Sequence, residues 1–331
     1  MNSRYSLKAL CVLGMAVVLA CGGKEEQITK PGAPGEAPKA RAAKPHIALI
    51  MKAISNPFFK TMADGAESAA RKFDVRLTCL SVPRETDFEQ QAQLVENMVA
   101  QNVSAIVIAP ADSKAIVSPL LEAQKKGIPI INIDNRIDSE TARAAGLRVL
   151  TFIGPDNAAG AEKSTDHLIK AIGGKGAIAM LEGIRGVQNA EARKAGFLRA
   201  VEKTKGAVKV AAVETAEWAT DLGEKKMSGI LTRNPDLVGV FCANDNMALG
   251  ALAAIESEGK TGKVRVTAYD NLVAAQENIL AGKMDATIEQ HPDLMGAMGV
   301  EYALKAIHGE KIPAEIPVPT DLITAETLKK K

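Results

Sequence analysis

From His46 to the C-terminus, short runs of Ile, Val, Leu and Ala alternate with Ala-rich amphipathic segments, and no other feature narrows the fold as far. Each run is apolar at consecutive positions rather than at every second one, the pattern of a strand buried on both faces of its sheet. Strands are expected at Ile47–Met51, Val75–Val82, Ala105–Ala109, Pro129–Ile133, Val149–Ile153, Ala177–Leu181, Val208–Val213, Val238–Cys242, Val264–Ala268 and Ala286–Ile288. Helices between them include Asp87–Gln101, Lys114–Lys126, Ala158–Ile172, Ala190–Lys203, Asp221–Thr232, Asn246–Glu258, Val273–Ala281 and Leu294–His308. Several close on a glycine, as in Lys126-Gly127, Glu258-Gly259 and His308-Gly309, where a left-handed residue stops the helix. The alternation predicts an α/β fold of doubly wound parallel sheets covered on both faces. Ten strands fit one large sheet or two smaller ones.

The first 45 residues follow neither pattern. Residues 1–20 place Arg4 and Lys8 ahead of an apolar stretch, Ala9–Ala20, the layout of a secretory signal and too short for a membrane span. Val18-Leu19-Ala20-Cys21 resembles the lipobox of bacterial lipoproteins, which implies lipidation of Cys21 and a membrane-anchored product facing the periplasm or cell exterior. Acyl chains on that cysteine would hold firmly, at about 0.8 kcal/mol per buried methylene. The following segment, to residue 45, is Pro, Gly, Ala and charge with Ile28 its only large apolar residue, and is expected to be a disordered tether.

Loss of Arg4 and Lys8 with the signal leaves 39 basic against 39 acidic side chains. That balance speaks against nucleic acid or a strongly ionic substrate as the partner. Cys79 and Cys242 sit in separate apolar runs and are expected to be free thiols.

In open parallel sheets, ligands sit beyond the carboxyl ends of the strands. The first strand, IALIM, ends in Lys52 and then Asn56-Pro57-Phe58-Phe59, two adjacent aromatics in a chain with seven Phe, three Tyr and one Trp. Later strand ends carry Asp134-Asn135-Arg136, Asn244-Asp245, Asp270-Asn271 and Gln290. Carboxylates, amides and guanidinium groups together satisfy hydroxyls, which both donate and accept. The faces of Phe58, Phe59 and Trp218 suit the C–H face of a sugar ring. Taken singly, Asp and Asn at a strand end also serve as caps of the next helix.

Seven ordered segments carry a resemblance over nearly all of residues 46–331: IALIMKAISNPFF, TDFEQQAQLVENM, AIVIAPADSKAIVSPLLEAQKKGIPIINIDNRID, LEGIRGVQNAEARKAGF, VFCANDNMALGAL, VTAYDN and ATIEQHPDLMG. The chain resembles the periplasmic sugar-binding proteins of ABC importers, in the ribose- and allose-binding branch. The resemblance implies the type I periplasmic binding protein fold, two lobes joined by a three-strand hinge and closing on a sugar. It assigns residues 46–154 with 290–320 to an N-terminal lobe and 155–289 with 321–331 to a C-terminal lobe. Ligand contacts fall on Lys52, Asn56, Phe58, Phe59, Asp134 and Asn135 from the first lobe. Arg193, Trp218, Asn244 and Asp270 come from the second, with Gln290 at the hinge. Arg136 and Asn189 are additional candidates. Lys52 matches the allose binders, where ribose binders carry a small hydroxyl residue, whereas Asn135 departs from the Arg or Glu of relatives. The implied ligand is a monosaccharide or sugar alcohol, the implied partner the permease subunits of an ABC importer, and the implied state a monomer without cofactor.

Enzymatic function finds no support in the motifs. The Gly-Lys-Thr at 259–261 follows a helix and precedes a strand, the reverse of a phosphate loop. The four histidines lack metal-ligand spacing. A repressor of similar lobes would carry a helix-turn-helix where this chain has its signal and tether. A sensory protein presenting its ligand to a chemoreceptor or sensor kinase is the alternative to import.

Overall fold

The computed structural model describes residues 44–330. The signal segment, Cys21 and the tether up to residue 43 lie outside them, as does Lys331. The first part of the chain runs β1 (His46–Ala53), α1 (Pro57–Lys72), β2 (Arg76–Val82), α2 (Phe88–Ala100), β3 (Ala105–Ile108), α3 (Val117–Lys125), β4 (Ile130–Ile133), α4 (Ser139–Ala145) and β5 (Thr151–Pro155). It continues with α5 (Asn157–Ala171), β6 (Gly176–Glu182), α6 (Gln188–Glu202), β7 (Val208–Thr215), α7 (Thr220–Arg233), β8 (Leu237–Cys242) and α8 (Asp245–Ser257). The last elements are β9 (Arg265–Thr267), α9 (Val273–Leu280), β10 (Ala286–Glu289), α10 (Pro292–Ile307), β11 (Glu315–Val318), β12 (Asp321–Thr324) and α11 (Ala325–Leu328).

Two six-stranded sheets result, in the orders β2-β1-β3-β4-β5-β11 and β7-β6-β8-β9-β10-β12. All pairings are parallel except β10 with β12, which is antiparallel. The chain passes from one sheet to the other three times: after β5, between β10 and α10, and between β11 and β12. Two of these crossings are tied together by His291 Nε2 and Asp321 Oδ2 at 2.9 Å. Both sheets are therefore α/β layers wound on both faces, and ten of the twelve strands coincide with the apolar runs. The two that do not, β11 (EIPV) and β12 (DLIT), are short edge strands with alternating or incomplete burial, so they lack the consecutive apolar signature.

Continuous burial explains the apolar strands: Ile47 through Met51 are all at most 1% exposed, because β1 is central and helices cover both its faces. Helices α1 and α10 pack together on one face of the first sheet, and α2, α3 and α4 cover the other. The α1–α10 contact is close enough that a Cβ on Gly296 would stand 2.0 Å from the Met62 carbonyl oxygen. Except for the antiparallel β12, the strands stop with their C-terminal ends toward the space between the sheets.

Candidate functional site

Segments that follow β1, β2 and β4 in one sheet, and β6, β7, β8 and β9 in the other, face each other across one small cavity.

On the first side, Lys52 ends β1 and is 2% exposed. Its ammonium stands 3.5 Å from Asp134 Oδ2 and 3.7 Å from Glu85 Oε2. It also lies 5.8 Å from the ring centres of both Phe59 and Trp218. Asn56 caps α1, its Oδ1 accepting from Phe58 N at 3.1 Å, while its Nδ2 donates to Glu85 Oε1 at 3.0 Å. Capping and cavity lining are thus one role, since the cap fixes the amide at the cavity wall. Phe58 and Phe59 pack edge to face at 5.1 Å, and both line the cavity. Asp134 follows β4 at φ 61°, and its Oδ2 is buried with no protein hydrogen-bond partner.

Arg193 dominates the other side. It projects from α6 and is 3% exposed, its guanidinium 3.8 Å from the Tyr269 ring centre. Nε donates to Asn157 Oδ1 at 2.8 Å, Nη1 to the Ala243 carbonyl at 2.7 Å and Nη2 to Gln290 Oε1 at 3.3 Å. Gln290 Nε2 donates in turn to Asp270 Oδ1 at 2.6 Å. Asn244 caps α8 through Oδ1 and donates from Nδ2 to the Trp218 carbonyl at 3.2 Å, which ties the Trp218 backbone to the start of α8. Trp218 Nε1 and Asn189 Oδ1 are buried without protein partners.

Burial sets the electrostatics. It pushes the Asp270 carboxyl well above the ordinary carboxylate range, with Arg193 pulling the other way and Asp245, Glu85 and Asp134 adding to the rise. Burial likewise raises Glu85, against the pull of Lys52 and Asn56. Two cations, Lys52 and Arg193, and three carboxyl groups, Glu85, Asp134 and Asp270, line the cavity. Among the described residues, no group of three or more His, Cys, Asp or Glu is placed to hold a metal ion.

Residues 47–311 match the periplasmic binding protein domain. The chain belongs to that family. It is 36% identical over 288 residues to the D-ribose/D-allose-binding protein of Pseudomonas aeruginosa, covering 85% of this chain and 89% of that one. Identity to the D-allose-binding periplasmic protein of Escherichia coli is 35% over 266 residues, 80% of this chain and 85% of the relative. Among solved structures, an ABC transporter periplasmic solute binding protein from Actinobacillus succinogenes, with bound D-allose, superimposes with a TM-score of 0.83 at 42% identity, covering 87% of this chain and all of that one. No helix among the described residues is long and apolar enough to cross a membrane.

Within this periplasmic binding protein, ten of the eleven residues singled out from sequence meet at the one cavity. The exception is Asn135. Its Nδ2 donates to the Pro110 carbonyl at 2.9 Å and to Ser113 Oγ at 3.2 Å, and its Oδ1 accepts from Asn189 N at 3.1 Å. With these bonds made, Asn135 is fully buried behind the cavity and does not line it. It lies off the cavity because a strand-end position does not say which way the loop turns after the left-handed Asp134. Asn189, one of the additional candidates, lines the cavity, whereas Arg136 faces out to Glu315. Sequence reasoning missed Glu85, which stands in the turn after β2 among Pro83, Arg84 and Thr86, where nothing separates it from solvated charge. It also missed Tyr269 and Asn157, which orient Arg193 without lining the cavity.

Proposed function

We propose that this protein is the substrate-binding lipoprotein of an ABC sugar importer, and that it closes on one monosaccharide of the allose or ribose kind. The supporting observation is the set of buried polar atoms at the cavity that lack a protein hydrogen-bond partner: Asp134 Oδ2, which faces the Lys52 ammonium, Asn189 Oδ1 and Trp218 Nε1. Two acceptors and a donor, beside a buried ammonium and a stacked guanidinium, suit hydroxyls that donate and accept in turn. Leaving one such group unmatched costs about 1–3 kcal/mol, enough to reject an epimer. The residues that read the sugar are Lys52, Asn56, Phe58, Phe59, Glu85 and Asp134 from one lobe. Asn189, Arg193, Trp218, Asn244, Asp270 and Gln290 face them from the other lobe and the hinge.

Residues 46–154 and 290–320 move as the N-terminal lobe, and 155–289 with 321–331 as the C-terminal lobe. Each lobe supplies half of the contacts, so the ligand stabilises the closed form over the open one. The relatives include a ribose import binding protein of Escherichia coli at 33% identity, which favours import over a sensory role. The mature protein is held at the membrane by lipid on Cys21 and delivers sugar to permease subunits as a monomer. Metabolic labelling with a fatty acid, lost in Cys21→Ser, checks the anchor.

The test of the binding reading is a thermal-shift screen of pentoses, hexoses and sugar alcohols on wild type and Asp134→Asn. Asn keeps the left-handed backbone at φ 61°, which Ala would strain. At 100 times its dissociation constant, the cognate sugar adds about 2.7 kcal/mol to wild type. The variant, folded by circular dichroism, loses most of that shift. A wild type that responds to no sugar refutes the reading.

A further inference from the structure

Helix α6 carries Arg193 into the cavity but has no cap of its own: Val187 occupies the N-cap position and makes no side-chain bond. The N–H groups of a first helical turn need acceptors when they are buried. Here they find them across the cleft. Gln188 N donates to Ser113 Oγ at 3.1 Å, and Asn189 N donates to Asn135 Oδ1 at 3.1 Å. A third bond joins Gln188 Nε2 to Asp138 Oδ2 at 3.0 Å. Ser113 follows β3, and Asn135 and Asp138 follow β4, so all three acceptors belong to the sheet opposite the one α6 covers. Asn135 is held for this role, because its Nδ2 is anchored to the Pro110 carbonyl and to Ser113 Oγ, leaving Oδ1 turned to α6. Ser113 and Asn135 are at most 1% exposed.

We propose that Ser113, Asn135 and Asp138 form a closure latch: they cap α6 only when the lobes meet, and so set the open–closed equilibrium without touching the ligand. When the hinge opens, water replaces them. Each bond lost from the closed form alone lowers the closed fraction, and ligand affinity falls in proportion. Asn135 is thus a positioning residue acting through α6 and Arg193. The ligand-coupled part of this inference rests on the sugar-binding function proposed above.

Gln188→Pro tests the latch from the helix side. Proline fits the first helical position, and Val187 at φ −82°, ψ 131° is already in the region a residue before proline adopts. The variant loses two of the three bonds and leaves the opposite lobe untouched; Asn135→Ala removes the third. With D-allose and D-ribose as probes, each lost bond raises the dissociation constant roughly two- to twelvefold through faster release. The ratio of the two affinities stays that of wild type. Spin labels on the two lobes, measured without sugar, report a shift to longer distances in both variants. An altered affinity ratio in Asn135→Ala would overturn the latch, since Asn135 would then read the sugar. So would a Gln188→Pro protein with wild-type release rates and distances. If wild type binds neither sugar, the sugar reading fails instead, and the sugar-free distances in Gln188→Pro decide the latch alone.

Discussion

Gly183, just beyond β6, leaves the space in which the Trp218 indole lies. A Cβ at that position would stand 2.0 Å from Trp218 Cζ2 and 2.1 Å from Cη2, where ordinary contact begins near 3.4 Å. Gly183 is not among the glycines with positive φ, so alanine adopts its backbone freely and the whole perturbation falls on the ring. Gly183→Ala therefore forces the indole to retreat by about 1.4 Å or to leave the cavity wall. Overpacking of this kind costs about 1–3 kcal/mol. Where that cost is borne by the closed form, sugar binding weakens roughly fivefold to a hundredfold, at about 1.4 kcal/mol per decade. Trp218 is the only tryptophan in the chain, so its emission reports the ring directly in the same titration. A double-mutant cycle with Trp218→Phe isolates the contact, because phenylalanine lacks the benzo-ring atoms that collide. In that background, Gly183→Ala has little further effect. Wild-type affinity and wild-type emission in Gly183→Ala would refute the placement of the indole at the ligand wall.

Two further predictions concern stability. Asp245 is fully buried, accepting from Leu272 N and Thr287 Oγ1 at 2.7 Å each, and burial pushes its carboxyl up to about 7. Between about pH 4 and that value the native state holds a proton that the unfolded chain has lost, so this group makes wild type less stable as pH rises. Asp245→Asn cannot ionise and gains on wild type across that window, by at most about 4 kcal/mol at about 1.4 kcal/mol per unit. Urea unfolding of both proteins at about pH 5 and about pH 8 measures it, and a pH-independent difference would refute it. Gly296→Ala drives a Cβ onto the Met62 carbonyl oxygen, a backbone atom that cannot step aside, and lowers the melting temperature of the sugar-free protein by several degrees. An unchanged melting temperature would mean that α1 and α10 separate freely.

The architecture was legible because a strand covered on both faces is apolar at consecutive positions, and central strands such as β1, β3, β4 and β8 carry that mark. Edge strands β11 and β12 carry it only in part, and α1 starts inside the cluster of Pro57, Phe58 and Phe59, which reads as a binding edge before it reads as a helix. Most of the polar cavity residues were legible for a related reason, since strand ends and helix starts are fixed by the alternation and converge, whereas Arg193, inside α6, came only with the family resemblance. Loop direction was not legible. Asp134 and Asn135 are neighbours in sequence, yet the left-handed turn at Asp134 sends one carboxylate into the cavity and the next amide behind it. Glu85 was hidden for the opposite reason, since an acidic residue in a charged turn has no sequence mark that separates burial from solvation.

Three cavity residues adopt positive φ: Asp134 at 61°, Trp218 at 68° and Asp270 at 123°. None is glycine, and such conformations cost about 1–3 kcal/mol each. A fold that needed only a turn at these points would be served by Gly or Asn at lower cost. What the strain secures is direction: it aims two carboxylates and an indole at one small volume before any ligand arrives. Burial then raises the Asp270 and Glu85 carboxyls, so their charged forms are under-solvated and favour any hydroxyl that can donate to them. A neutral polyol supplies such donors without adding charge. Strained backbone and raised carboxyls therefore point the same way, toward an uncharged ligand whose hydroxyls complete the hydrogen bonding that the protein leaves open.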